Sequence, residues 1–378
     1  MATAFHDDLF ATRAPSLHEH TGFELGWDYA HHRLLPPAPY AQEPSPLRDG
    51  LLAGQASFGL RTLEPTRHVR KWLQLRLHAW LRGRSVELVQ VTPHYLKQLE
   101  VSHCPVTREL LSVATLEASD ASIDRVRNDA GYAAGNLVTM STRANRAKGT
   151  SSYRDAQRLA VALEAGALQG GAGLTAAQWS RIAVLCSFVE ALPHEEACTV
   201  PLLVLPPNRL RLFNPAQALA AFVSRQLLLP GWSLRTSRIE ALIPGKPARR
   251  AFQTFFHALL PRVLEVAGRG GDALRVRWAV EDAWRNALVQ RRWAAFAGML
   301  SAEQCEAIVT RATARRLGTQ RAQPLTAAQA TEGWNLATRG YVPHAALMQR
   351  RPAAAGAAAS GWPGRRGAAA AGQAALPL

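Results

Sequence analysis

Between Arg67 and Arg84 the apolar residues Val69, Trp72, Leu73, Leu77 and Trp80 recur at helical spacing, which predicts one amphipathic helix stopped at Gly83. Thr92 followed by Pro93 predicts a further start, a hydroxyl N-cap and then a proline whose missing N–H costs nothing at the first position, with a helix over Tyr95–Glu100. The same period predicts helices over Tyr153–Ala165, Gln178–Leu192, Pro215–Leu229, Pro247–Ala267, Ala273–Phe296 and Ala302–Leu317. Thr175 with Gln178, Ser301 with Gln304 and Thr326 with Gln329 are spaced as capping boxes. Leu202–Leu205 and Leu210–Phe213, around Pro206 and Pro207, suit either a small hairpin or an extended loop.

One stretch breaks the helical pattern. Ala121–Val126 reads as a short strand carrying Ile123 and Val126, and Leu137–Met140 as a returning strand. Asn128, Asp129, Gly131 and Gly135 supply turn chemistry between them. Ser141 then caps a short helix bearing Arg143, Asn145, Arg146 and Lys148. The expected fold class is α+β and predominantly α-helical, with a small hairpin–helix module embedded in helices and followed by a helical domain. Residues 1–66, rich in proline, histidine and aromatic residues, are expected to be an irregular arm; 67–165 hold the module with its flanking helices. The glycine-rich 166–173 is the expected boundary before a helical domain over 174–351, and the Ala/Gly/Pro-rich 352–378 an expected disordered tail.

Charge changes the picture. Lys and Arg outnumber Asp and Glu 44 to 28, a net charge of +16, which predicts a polyanionic partner and nucleic acid first. The competing explanation is an arginine-rich coding bias. Arg67–Arg84 holds six of these cations and no acid, so Arg70 and Lys71 are candidate phosphate contacts. The four cysteines lack metal spacing and fit ordinary buried thiols in a reducing compartment; with no basic leader and no membrane-length apolar run, a cytoplasmic protein is expected. His20, His31 and His32 read as packing or surface residues, since no carboxylate or cysteine completes a ligand spacing.

The stretch from Ser122 through Asp124, Arg125, Gly131, Tyr132, Gly135 and Asn136 to Arg143, Ala144, Asn145 and Lys148 resembles the HNH endonucleases, the ββα-metal fold. It is most similar to a phage-associated subgroup that reads Ser-Leu-Asp-Arg-Ile-Asp, then Gly-Tyr-x-x-Gly-Asn, then Arg-Ala-Asn-x-x-Lys. Val91–Leu96 and Cys104–Thr107 look like that subgroup's lead-in helix and turn, so the resemblance covers roughly residues 90 to 150. Two positions depart from the family. Arg125 stands where the general-base histidine is usual, and a guanidinium stays protonated. Ser141 and Ala144 stand where many members carry a zinc-binding Cys-x-x-Cys, so no structural zinc is expected.

The resemblance implies a metal-dependent DNA endonuclease. Asp124 and Asn145 would hold a divalent cation, Mg²⁺ or in its place Mn²⁺. Asn136 would steady the loop or the base, and Arg125 would contact phosphate or stabilise developing charge. Arg127, Arg143, Arg146 and Lys148 would contact nucleic acid, and the missing base would be His103, His94 or no side chain at all. Two alternatives stand beside it: an inactive HNH-fold nucleic-acid-binding protein, and a helical interaction protein.

Overall fold

The computed structural model describes residues 15–229, 231–267, 272–317 and 327–343. The expected tail at 352–378 and the Thr326 end of the third capping box lie outside them. The described chain is predominantly helical, with one two-stranded antiparallel sheet. Its described residues divide into two units, 15–97 with 335–343 and the remainder between 98 and 334. None of the described helices is long and apolar enough to cross a membrane.

In the first unit, Ser16 opens α1 (Leu17–His31) through a capping box with Glu19. A short α2 (Ala38–Gln42) leads to α3 (Pro46–Phe58), which Ser45 caps and Pro46 starts. The arm expected to be irregular is therefore helical over most of its described length. Its proline clusters separate helices instead of preventing them. Its helices went unread because glycines occupy their contact faces. A Cβ on Gly26 would lie 1.9 Å from the Leu47 carbonyl oxygen, and one on Gly50 1.9 Å from that of Phe23. With hydrogen there, the backbones of α1 and α3 touch, and the apolar stripe is shortened where they cross.

Thr66 caps α4 (Arg67–Leu81), whose Val69, Leu73, Leu77 and Trp80 join Leu25, Tyr29, Leu47 and Leu51 in one core. Arg76 is buried in this helix, paired with Asp28 and lying over the Trp72 ring at 4.3 Å. Residues 335–343 complete the unit: Ser85 donates to the Gly340 carbonyl at 3.0 Å, and the Arg84 guanidinium stacks on Tyr341 at 3.6 Å. Helix α5 (Pro93–Gln98) ends where the units divide.

The second unit contains the sheet, β1 (Ala121–Arg125) and β2 (Leu137–Ser141), followed by α6 (Thr142–Lys148). Helices α7 (Tyr153–Glu164) and α8 (Ala176–Phe188) follow and pack on each other. The glycine-rich 166–173 is not a boundary between units. It is a tight connection within one, because Trp179 of α8 is buried against it and donates its indole N–H to the Gly171 carbonyl at 2.9 Å.

Beyond lie α9 (His194–Thr199), α10 (Pro215–Gln226), α11 (Trp232–Glu240), α12 (Lys246–Ala267), α13 (Ala273–Ala283), α14 (Ala287–Ala297), α15 (Ala302–Ala314) and α16 (Ala327–Ala330). Residues 202–213 form a loop with a turn at Asn208 and Arg209 and contain no strand. The single helix expected over 273–296 is two, because the Asn286 side chain accepts from the N–H groups of Leu288 and Val289 and starts a new helix. Phe252, Phe255, Trp284, Trp293 and Phe296 are fully buried and pack ring on ring, so Trp284 and Trp293 are core residues and not stacking platforms for bases.

Candidate nucleic-acid interface at the hairpin and helix

The two strands pair in the register Ala121 with Ser141 through Arg125 with Leu137. The eleven residues between them hold their shape through two side chains. Asn136 is fully buried; its Oδ1 accepts from the Arg127 N–H at 2.8 Å, and its Nδ2 donates to the carbonyls of Arg127 (3.0 Å) and Gly131 (3.1 Å). Arg125 donates to the carbonyls of Asn128 (3.2 Å) and Ala130 (3.0 Å) and lies over the Tyr132 ring at 5.0 Å. Arg125 is thus turned into the loop and buried, not presented to a phosphate. Asn136 is a loop-positioning residue with its amide spent on backbone.

The loop is also roofed. Trp334 donates its indole N–H to the Ala134 carbonyl at 3.1 Å and accepts at its own carbonyl from Gly131 N–H at 2.8 Å. The Arg211 N–H donates to the Gly135 carbonyl at 3.0 Å. Gly135 has φ +88°, and a Cβ there would sit 3.0 Å from the Arg211 side chain, so both the backbone angle and the covering chain require glycine.

Ser141 caps α6 by accepting from the Ala144 N–H, and its own N–H donates to the buried Cys104 Sγ at 3.3 Å. Packing against Cys104 thus holds the strand end. The cap aims α6 across β1, and two polar rungs form. Asn145 Nδ2 donates to Ser122 Oγ at 2.7 Å. One turn on, Lys148 Nζ lies 2.9 Å from Asp124 Oδ2 and donates to the Arg125 carbonyl at 2.9 Å. Strand alternation puts Ser122 and Asp124 on one face, and the i, i+3 spacing of Asn145 and Lys148 matches it.

The Asp124–Lys148 rung is sealed, with side chains 3% and 1% exposed. Burial pushes the Asp124 carboxyl above the usual carboxylate range; the Lys148 and Arg125 charges pull it down without cancelling that effect. Cys186 packs beneath, its thiol pushed up to about 12 by burial and 3.7 Å from the Val126 carbonyl.

This arrangement revises the expected division of labour. Lys148, expected at the phosphate-facing surface, is the buried counter-ion of Asp124. Asp124 and Asn145, expected to share a cation, each face a protein partner, and an ammonium stands beside the carboxylate where a divalent ion would bind. As placed, this donor set does not fit Mg²⁺ or Mn²⁺, which need several oxygen ligands. Among the described residues no group of three or more His, Cys, Asp or Glu side chains could hold a metal ion.

Of the expected surface cations, Arg146 is exposed. Arg127 pairs with Asp129 at 2.7 Å and Arg143 with Glu109 at 3.1 Å, both partly exposed. Arg70 and Lys71 lie in the first unit. Of the two candidate bases, His94 is also in the first unit, and His103 packs its ring edge-on to Trp278 at 5.6 Å.

The sequence reading missed a charged cluster that anchors the turn before the hairpin. Arg108 grips Asp282 with two bonds of 2.8 Å and reaches Glu281 at 3.2 Å. Glu281 is buried, accepting from the Leu205 N–H at 3.0 Å and Arg277 at 3.2 Å. Arg181 donates to the Val106 carbonyl at 3.0 Å; desolvation first, and Arg108 and Arg285 next, bring it down to about 10. The signal was the adjacent acid pair Glu281–Asp282 within an otherwise basic helix.

Comparisons with protein-family models, curated proteins and solved structures found no match to this chain.

Proposed function

We propose that this protein binds nucleic acid, and that its β1–β2–α6 element is an HNH-like module used to hold DNA rather than to cut it. The observation that carries the reading is the Lys148 ammonium paired with Asp124 in a closed environment. In a nuclease of this design the carboxylate would be open to a cation; here it braces the helix against the strand. The net charge of +16 supports a polyanionic partner. Arg146 is exposed on α6, and Arg127 and Arg143 can exchange partly solvated carboxylates for phosphate at small cost.

The test is fluorescence anisotropy of a labelled DNA duplex with the full chain, between about 50 and 200 mM salt, beside a plasmid-nicking assay with Mg²⁺ or Mn²⁺. Expected are salt-dependent binding, a salt slope about 0.9 smaller in Arg146→Gln, and no nicking. Absence of binding would leave the helical interaction protein as the surviving reading.

The metal-dependent endonuclease is kept as a second reading for one reason. The rungs set Asp124 and Asn145 one turn apart across the same strand and helix. It requires Lys148 to leave the carboxylate. Nicking by the wild type that Asp124→Ala and Asn145→Ala both abolish would establish it.

A further inference from the structure

A second strongly basic surface is built from residues outside the hairpin, at the C-terminal ends of α11 and α15. The two helices flank a cleft of about 300 Å³ lined, among the described residues, by Arg238, Ala241, Arg315 and Leu317. Both arginines are exposed, as are Lys246 and Arg250 at the start of α12, which packs on α11, and Arg316 beside the cleft. None of these five cations pairs with a carboxylate among the described residues. The nearby Glu240 accepts from Gln253 at 2.7 Å. Glu303 and Glu306 belong to the first half of α15, two or more turns from Arg315.

Part of this charge has a local use. Arg238 and Arg315 sit at helix C-termini, where a cation offsets about half a negative charge per helix. Two such ends account for about one of the five positive charges and the nearby Glu240 carboxylate, bonded only to a neutral amide, for another, so an excess of about three faces solvent. Surface cations that outnumber their counter-charge repel one another, and a polyanion relieves that cost.

We infer that this surface is a phosphate-binding site for a nucleic-acid strand, its cleft seating one backbone phosphate between Arg238 and Arg315 with the sugar against Ala241 and Leu317. Four of the five cations are arginine, whose planar fork matches a phosphodiester's two free oxygens. The site is concave, which suits a strand better than a flat bilayer. It rests on the nucleic-acid reading but not on the hairpin's part in it.

The experiment compares the full-length wild type with Arg238→Gln/Arg250→Gln/Arg315→Gln/Arg316→Gln and with Arg127→Gln/Arg146→Gln. Anisotropy is read on labelled duplex and single-stranded DNA across salt, with circular dichroism confirming that each variant is folded. The fourfold variant is expected to bind at least about tenfold more weakly, with a duplex salt slope smaller by up to about 3.6, or 0.9 per lost contact. If it matches the wild type while the hairpin variant weakens, the inference is overturned and the hairpin reading stands. If it weakens while the hairpin variant matches the wild type, the inference stands and the hairpin reading falls. No binding by the wild type overturns both. Pelleting with vesicles of equal parts phosphatidylcholine and phosphatidylglycerol covers the remaining source of phosphate. Vesicle binding lost in the fourfold variant, with duplex binding unchanged, would assign the surface to lipid and overturn the inference.

Discussion

Replacing Lys148 with methionine tests the central feature of the hairpin module. The substitution keeps the length and apolar stem of the side chain and removes the ammonium alone. That ammonium makes two contacts of 2.9 Å, to Asp124 Oδ2 and to the Arg125 carbonyl, from a position 1% exposed. Removing one partner of a buried pair costs about 3–5 kcal/mol, because the other charge is left without compensation.

Asp124 can limit that cost by keeping a proton, as burial already pushes its carboxyl upward. The sign follows. Both folded proteins keep the Asp124 proton until pH passes the wild type's own raised value, so the variant's penalty relative to wild type is smallest in acid and grows as pH rises beyond that point, where only the wild type has an ammonium beside the ionised carboxylate. The pair Asp124→Asn/Lys148→Met should recover more than about 1.5 kcal/mol relative to the sum of the single changes. Amide hydrogen exchange in β1 and α6 at pH 5 and pH 8 is the assay, since a chain of two units need not unfold in one step. A penalty below about 1 kcal/mol for Lys148→Met, or strict additivity, would refute the buried-pair account.

Gly50→Ala should destabilise the α1–α3 crossing by about 1–3 kcal/mol or more, because its Cβ would meet the Phe23 carbonyl oxygen at 1.9 Å; urea unfolding of the first unit's tryptophans would report it. Asn136→Ala should cost about 2–3 kcal/mol by stranding the Arg127 N–H and two loop carbonyls, and should speed exchange at Arg127 before it affects α12. Asp155 completes the capping box that Ser152 opens at the start of α7; bonds from the Ser152 hydroxyl and backbone N–H, and then Arg158, hold its carboxyl down to about 2. Its contribution is present above the unfolded value near pH 4 and is lost as pH falls towards 2, so the stability gap between wild type and Asp155→Asn should close in that window.

The parts of this fold that were legible from sequence are those whose information is local. Val69, Leu73, Leu77 and Trp80 mark α4, and Ser141 and Ser152 announce the starts of α6 and α7 through hydroxyls that do cap them. The hairpin was legible because two short apolar runs flank a turn-rich segment. Helices α1 and α3 were not, because a contact face built on Gly26, Gly50 and Gly54 carries little hydrophobic signal until the facing helix is in place. The partnership of Asp124 with Lys148 was hidden for a different reason. Both residues were visible as functional types, but nothing in the sequence tells whether a carboxylate 24 residues from a lysine faces it or faces water. The clamp of Arg108 on Asp282 spans 174 residues and belongs to tertiary structure alone.

The roof over the hairpin loop has a consequence for how the chain is made. Trp334 reaches the Ala134 carbonyl across 200 residues, and the next few residues, through Gly340, complete the first unit against Ser85 across 255. On a ribosome, both units must therefore wait, unfinished, until residues 334–340 have been made, with the indole's berth and the Ser85 edge left uncovered meanwhile. Such long-range closure makes for slow maturation and gives chaperones a prolonged opening to engage the nascent chain.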